Sequence, residues 1–232
     1  MWLVASYAST ALFSLKLSMA TSSGGKSLLA PTPYAIKLAL LDAAYRTLGI
    51  REAEACWPAV RNLQVAYGPP RFVTVTNLFT RILKPNRSAK AGEPPFGRSI
   101  GYREYVQFNE PLRLALEPKE EASCEMLAQL LARVSYLGKR GSFVQLLAPP
   151  QRKEELPEGF LLLNAPNGQA QFDARGTLQM LDDCSPDMPV ERVNSYSGVS
   201  VRAGRDRLSY PIVLPYRVVR ASKSYTLYRR LD

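Results

Sequence analysis

The sequence contains no histidine, which removes the usual general base, the usual proton shuttle and the commonest zinc ligand. Cysteine is scarce as well. Cys56, Cys124 and Cys184 are odd in number and far apart, so they form neither a disulfide framework nor a paired zinc-ligand spacing, and a reducing compartment suits them. Long apolar runs are absent: Trp2 to Leu17, the most apolar stretch, is shorter than the roughly 20 residues a membrane span requires. It also lacks a basic leading region and is interrupted by Lys16, so it reads as a buried strand region and not as a signal peptide. No basic amphipathic helix of the membrane-surface kind stands out, and no internal repeat is evident. With no histidine to partner a Ser, Cys or Lys nucleophile, and with Asp182 and Asp183 reading as a lone acidic pair in a turn, neither a metal nor any other cofactor is expected.

Acidic charge is also in short supply. Lys and Arg outnumber Asp and Glu by 30 to 20, and the resulting net charge of +10 favours a polyanionic partner, of which nucleic acid is the commonest. The 232 residues are 46% hydrophobic, enough for an ordinary globular chain that buries roughly 70 to 75% of its unfolded surface.

The order of elements is legible in outline. Leu12 to Met19 alternates like a strand, and a Ser/Gly loop from Thr21 to Ser27 follows. Thr32 can cap a helix whose first residue is Pro33, with apolar positions from Ile36 to Leu48 and Gly49 as its stop. Arg71 to Leu83 and Ser99 to Phe108 are β-branched and aromatic, which predicts two strands. Between them, Lys84 to Arg98 is rich in Pro, Gly and cations and predicts an exposed, mobile excursion. A second helix opens at Glu120 and Glu121, where acids suit the macrodipole, and ends at Gly138; Phe143 to Leu147 follows as a strand. Strand, helix, strand, strand, helix, strand over residues 1–149 is the split βαβ, ferredoxin-like order of an α+β fold. Pro149 and Pro150 suggest a boundary. Residues 150–232 then form a β-rich C-terminal extension with short runs at Phe160 to Leu163, Val199 to Arg202, Pro211 to Val219 and Tyr225 to Arg229.

Three stretches carry candidate chemistry. Ala20 to Ser27 nearly spells a phosphate-binding loop, but Ala20 replaces its first glycine, and Pro31 and Pro33 delay the helix that should follow at once. Lys26 is left as a phosphate contact from a flexible loop. Leu137 to Phe143 is a glycine-rich basic loop: Gly138 and Gly141 let the backbone approach a ligand, Lys139 and Arg140 add charge, and the amides up to Ser142 can bond phosphate oxygens. The plainer reading makes Gly138 a helix cap and the cations its dipole complement. The excursion supplies Lys84, Arg87, Lys90 and Arg98, with Arg81 and Arg103 near its ends and Phe96 and Tyr102 able to stack on bases, unless its charges serve only solubility. Arg202 to Arg230 adds eight cations against Asp206, while Tyr210, Tyr216, Tyr225 and Tyr228 read as half-buried strand residues.

Together, the early strand, the stretch from Ser27 to Leu41 with its Pro31-Thr32-Pro33 turn, and the Gly138 to Phe143 loop resemble the RAMP proteins of CRISPR systems. The likeness is to the fifth CRISPR-associated family, the subunit that caps the 5′ handle of crRNA in type I (Cascade) complexes. It covers about the first 149 residues. It implies an RRM-like core with a protruding thumb, placed by position at Lys84 to Arg98. The implied partners are crRNA, a backbone RAMP subunit and a large subunit in a prokaryotic cytoplasm, with no membrane; contact with target DNA stays open. Some family members cut precursor crRNA at histidine-containing or Tyr/Lys sites. Without histidine the expectation is a non-catalytic, RNA-binding role in antiviral defence. A histidine-free, metal-independent endoribonuclease and a stand-alone RNA-binding protein outside CRISPR are the alternatives.

Overall fold

The structure, a computed structural model, describes residues 1–17, 25–88, 90–164, 175–194 and 196–231. In chain order β1 is Trp2–Ser9, α1 Pro33–Leu48, α2 Ile50–Arg61, β2 Gln64–Gly68, β3 Phe72–Pro85, β4 Phe96–Phe108 and β5 Leu112–Glu117. Then come α3 (Cys124–Arg133), β6 (Val144–Leu146), β7 (Gln151–Lys153), β8 (Leu161–Leu162), β9 (Thr177–Cys184), β10 (Arg207–Leu214), β11 (Tyr216–Ala221) and β12 (Tyr225–Arg230). The fold is mixed α and β, with antiparallel sheets and few helices. Among the described residues no helix is long and apolar enough to cross a membrane.

The first sheet has the order β6-β1-β5-β2-β8, with β7 also pairing with β1. Strand β1 alternates so that Leu3, Ala5 and Tyr7 enter the main core under the helices, where the Tyr7 hydroxyl donates to the Leu131 carbonyl at 2.7 Å. Trp2 faces the other way and packs with Ala66 and Ala115 beneath Phe160 and Leu162. Helix α1 starts where the sequence predicts: Pro33 is its first residue, and the Thr32 side chain accepts from the Ala35 amide at 3.1 Å. The second sheet, β11-β12-β3-β4, grows from the long β3–β4 hairpin, and β9 and β10 form a ribbon of their own. Leu181, Leu214 and Tyr216 share the main core with α1, so strands from beyond residue 150 complete both sheets and the core.

Several expectations are corrected. The first strand is β1 and not Leu12 to Met19: Phe13 and Lys16 make only isolated bridges, to Val106 and Ser27, and residues 18–24 lie outside the described ones. Arg71 to Leu83 and Ser99 to Phe108 are strands, but of the second sheet. The first sheet uses the shorter β2 and β5, whose small residues Ala66, Gly68 and Ala115 carry little β signal. The ladder enters both ends of the excursion, since Lys84 pairs with Gly97 and Leu83 with Arg98, so only its middle lies beyond the paired residues. Helix α3 ends at Arg133, well before Gly138. Helix α2 was unread because Gly49, the stop of α1, also starts it. Val199 to Arg202 is not a strand, and Pro211 to Val219 divides at Pro215 into β10 and β11.

Asp182 and Asp183 do not sit in a turn. Both are buried on β9, where Asp182 pairs with Arg207, and Asp183 lies 2.7 Å from Lys37 Nζ, itself only 2% exposed. Asp183 also accepts from Asn164 Nδ2 and from the Cys184 amide, both at 2.7 Å. Burial pushes the Asp183 carboxyl up, and the ammonium and both amides oppose that rise. Removing one member of such a pair strands the other charge. Lys37→Met is therefore expected to cost about 3 to 5 kcal/mol in urea denaturation, and adding Asp183→Asn should recover part of the loss.

Candidate nucleic-acid interface

The outward flank of α1 floors a cleft of about 1090 Å³, lined there by Tyr34, Ala35, Leu38, Asp42, Tyr45 and Arg46. Ser14 to Lys16, Arg103, Tyr136 and Gly138 to Arg140 also line it, as do Asp182, Asn194, Tyr196 and Arg207. Of the predicted residues, Arg103, Gly138, Lys139 and Arg140 meet here. Lys26 lines a small adjoining depression that shares Ser14, Lys16 and Arg103 with the cleft.

The loop after α3 is held by short-range bonds. The Leu137 amide donates to the Ser142 carbonyl and the Ser142 amide to the Lys139 carbonyl, both at 3.1 Å, while Tyr136 bridges Phe143. Gly138 and Gly141 have φ of 74° and 99°, the left-handed region that favours glycine. Around Gly138 a methyl group would meet the Ala35 side chain at an ordinary 3.7 Å, so backbone conformation, not space, calls for glycine. Ser142 is 2% exposed, and its hydroxyl accepts from the Ser14 amide at 3.4 Å, tying the loop to the Ser14–Lys16 wall and leaving Lys139 and Arg140 exposed. That wall is clamped in turn. Ser27 Oγ donates to the Leu15 carbonyl at 3.2 Å, and the Ser27 amide donates to Glu104 at 2.6 Å.

The cations of the cleft divide into two groups. Arg46 is held by Asp42 at 2.8 Å and by the Arg133 carbonyl at 3.0 Å; Arg207 is held by Asp182 and lies 4.3 Å over the Tyr34 ring. Burial pushes the Tyr34 hydroxyl up to about 12. Lys139 and Arg140, by contrast, face no carboxylate within ion-pair distance among the described residues. Burial and Asp42 raise the Tyr136 hydroxyl while Arg140 lowers it, so Tyr136 links a committed charge to an uncommitted one.

Arg81, Lys84, Arg87, Lys90 and Arg98 do not join the cleft; they are exposed along the outer half and tip of the β3–β4 hairpin. Phe96 is there too, 53% exposed. The Tyr102 ring lies 5.2 Å from Phe79, and its hydroxyl sits 2.8 Å from Glu104 Oε1 and 3.0 Å from Asn77 Oδ1. Burial and Glu104 push it up to about 12. Sequence reasoning did not assign Lys16, Tyr34, Arg46, Tyr136 or Arg207 to a site. Lys16 was visible as the charge that breaks an apolar run and Arg207 as part of the basic C-terminal stretch; nothing local distinguishes the others.

No family model matches the chain. By sequence it is related to the CRISPR-associated proteins. One relative is the CRISPR-associated protein Cas5 of Archaeoglobus fulgidus, to which the chain is similar with 26% identity over 203 residues, which cover 86% of this chain and 87% of that protein. Among solved structures, a crystal structure of a CRISPR protein from Archaeoglobus fulgidus aligns over 100% of this chain and 92% of its own, at a TM-score of 0.41 and 13% identity. A chain of a CRISPR RNA-guided surveillance complex aligns over 92% and 90%, at 0.46 and 15%.

Because Gly141 is exposed and a methyl group there would meet nothing within 4 Å, Gly141→Ala isolates the backbone cost. It should lower stability in urea by about 1 to 2 kcal/mol.

Proposed function

We propose that this chain is a non-catalytic, crRNA-binding subunit of a type I CRISPR effector (Cascade) complex in the prokaryotic cytoplasm, where it caps the 5′ handle. The observation that carries the reading is the cleft, where an exposed Lys139–Arg140 loop with two left-handed glycines stands over a helix flank bearing Tyr34 and Tyr45. Such a site suits phosphates on the cations and loop amides, with bases against the partly exposed Tyr45 and Tyr136. The similarity to Cas5 supports it, and so does the net charge of +10.

In this reading the order β6-β1-β5-β2 is the ferredoxin-like core of a RAMP protein, and the β3–β4 hairpin is its thumb, inserted in the chain between β2 and β5, the second and third strands of the split βαβ. The thumb's exposed Phe79, Leu83, Phe96 and Ile100 alternate with Arg81 and Arg98 on one face, which suits contact with a neighbouring backbone subunit and the RNA together. A large subunit is the other expected protein neighbour.

The test is to express the chain with its genomic neighbours, purify the complex and sequence the RNA it carries. Uniform short RNAs sharing one 5′ end are expected. Lys139→Glu/Arg140→Glu should weaken handle RNA binding by roughly tenfold or more and flatten its salt dependence by about 0.7 for each phosphate no longer neutralised. Random RNA, or an affinity insensitive to both salt and charge reversal, would remove the handle-capping role. Metal-free incubation with labelled repeat RNA should leave it intact, and a cut product would make the chain an endoribonuclease. Replacing residues 81–100 with an Asn-Gly turn should leave core stability within about 1 kcal/mol, as most of the removed side chains are exposed, while reducing recovery of the assembled complex.

A further inference from the structure

The basic C-terminal stretch has no part in the cleft beyond Arg207, yet the ladder register collects three of its arginines, Arg217, Arg220 and Arg229, on one surface. Residues opposite each other in an antiparallel ladder share a face. In the second sheet Arg217 pairs with Arg229, and Arg229 with Phe72; the next row on that side is Arg220, Leu227, Thr74 and Gln107, and the third is Tyr225, Thr76 and Tyr105. None of these residues is buried. The opposite side, with Val73, Val75, Val106, Phe108 and Tyr216, enters the core. The first side is therefore an open platform of four strands.

Its electrostatics are one-sided. The three rows contain no Asp or Glu, and Arg217, Arg220 and Arg229 make no ion pair among the described residues. Arg217 stands directly opposite Arg229, an arrangement that destabilises a ladder unless an anion lies between the charges. The Arg229 Nε is enclosed and has no hydrogen-bond partner among the described residues, which leaves the guanidinium's terminal nitrogens as the part that can meet a ligand. Half-exposed Phe72, Tyr105 and Tyr225 lie in the same rows, and the Arg71 guanidinium is 5.5 Å over Phe72. Same-face rows recur about every 6.6 Å along a strand, a step that an extended nucleotide can span.

We propose that this open sheet face is a second nucleic-acid surface, separate from the cleft, which takes a single strand with its phosphates on Arg217, Arg220 and Arg229 and its bases against Phe72, Tyr105 and Tyr225. Planar stacking positions interleaved with cations suit unpaired bases better than a duplex, whose bases are closed to stacking. RNA and DNA single strands share the chemistry. The surface does not depend on the handle-capping reading, because no residue of these rows lines the cleft.

The experiment uses the full chain carrying Lys139→Glu/Arg140→Glu, so that the cleft loop does not contribute, and follows the anisotropy of short fluorescein-labelled oligouridine and oligothymidine across a salt series. This background should still bind. Adding Arg217→Glu/Arg220→Glu should weaken binding by about tenfold or more and lower the salt slope by about 0.7 for each phosphate released from an arginine, with thermal unfolding no lower than that of the background, since the first substitution places a carboxylate opposite Arg229 instead of a like charge. If the glutamates disturb the edge strand, Arg217→Gln/Arg220→Gln should give the same loss of slope in a folded protein. Preference for one oligonucleotide would identify the source as RNA or DNA, and equal binding would support the shared chemistry. A background that binds neither strand, or arginine variants with unchanged affinity and slope, would overturn this surface and leave the cleft reading untouched. Recovery of an acidic partner protein through these arginines, without oligonucleotide binding, would likewise overturn it.

Discussion

The buried contact between Lys37 and Asp183 fixes the geometry on which the rest of the molecule depends. Burying an ammonium and a carboxylate costs several kcal/mol per ion unless the remaining hydrogen-bonding capacity is filled. On the carboxylate it is filled from three parts of the chain: Lys37 from α1, the Cys184 amide from β9, and Asn164, whose amide also accepts from the Val65 amide and donates to the Leu63 carbonyl at the entry to β2. An arrangement so constrained does not tolerate sliding of α1 along β9. One residue before Asp183, Asp182 points to Arg207 and holds it over Tyr34. The same pair of elements thus locks the core and sets one rim of the cleft.

Legibility in the sequence follows the range of the forces involved. The start of α1 was readable because Thr32, Pro33 and Ala35 act on one another within a single turn. The 137–143 loop was readable for the same reason, since the backbone conformations of Gly138 and Gly141 and the adjacent cations are local properties. The acidic pair on β9 was misread because its partners are remote: Lys37 lies 146 positions from Asp183. Strands β2 and β5 escaped notice because Ala66, Gly68 and Ala115 contribute packing space and not propensity, whereas the β-branched run of β3 announced a strand without saying which sheet it joins. The candidate site divides along the same line. Its loop cations were visible, and its lining by Tyr34, Tyr45 and Tyr136 came from three-dimensional assembly.

Charge in this chain is separated by commitment as much as by position. Arg46, Arg202 and Arg207 each have a carboxylate within reach and serve the architecture; Asp206 takes both Arg202 and Arg192 and is held well below the usual carboxylate range, first by its hydrogen bond from Arg202. A net positive balance therefore understates the asymmetry, because acids are spent on structural arginines while the cations at the loop tip and along the hairpin keep their field for solvent or a ligand.

The C-terminal strands also explain how so long a hairpin keeps its direction. A two-stranded ribbon is marginal in water, and β3–β4 beyond Asn77 has little besides its own ladder and the Phe79–Tyr102 contact to hold it. At its base, however, β12 pairs with β3 from Phe72 to Thr76, β11 adds a fourth strand, and Val73, Val75, Val106 and Phe108 sink into the core. The Tyr216 hydroxyl donates to the Pro70 carbonyl at 2.8 Å and Arg230 to that of Pro69 at 2.8 Å, so the turn that launches β3 is tied down from the far end of the sequence. The extension beyond residue 150 is thus what turns the hairpin from a loose loop into an arm with a fixed root, and it does so with a sheet whose outer face is left uncovered.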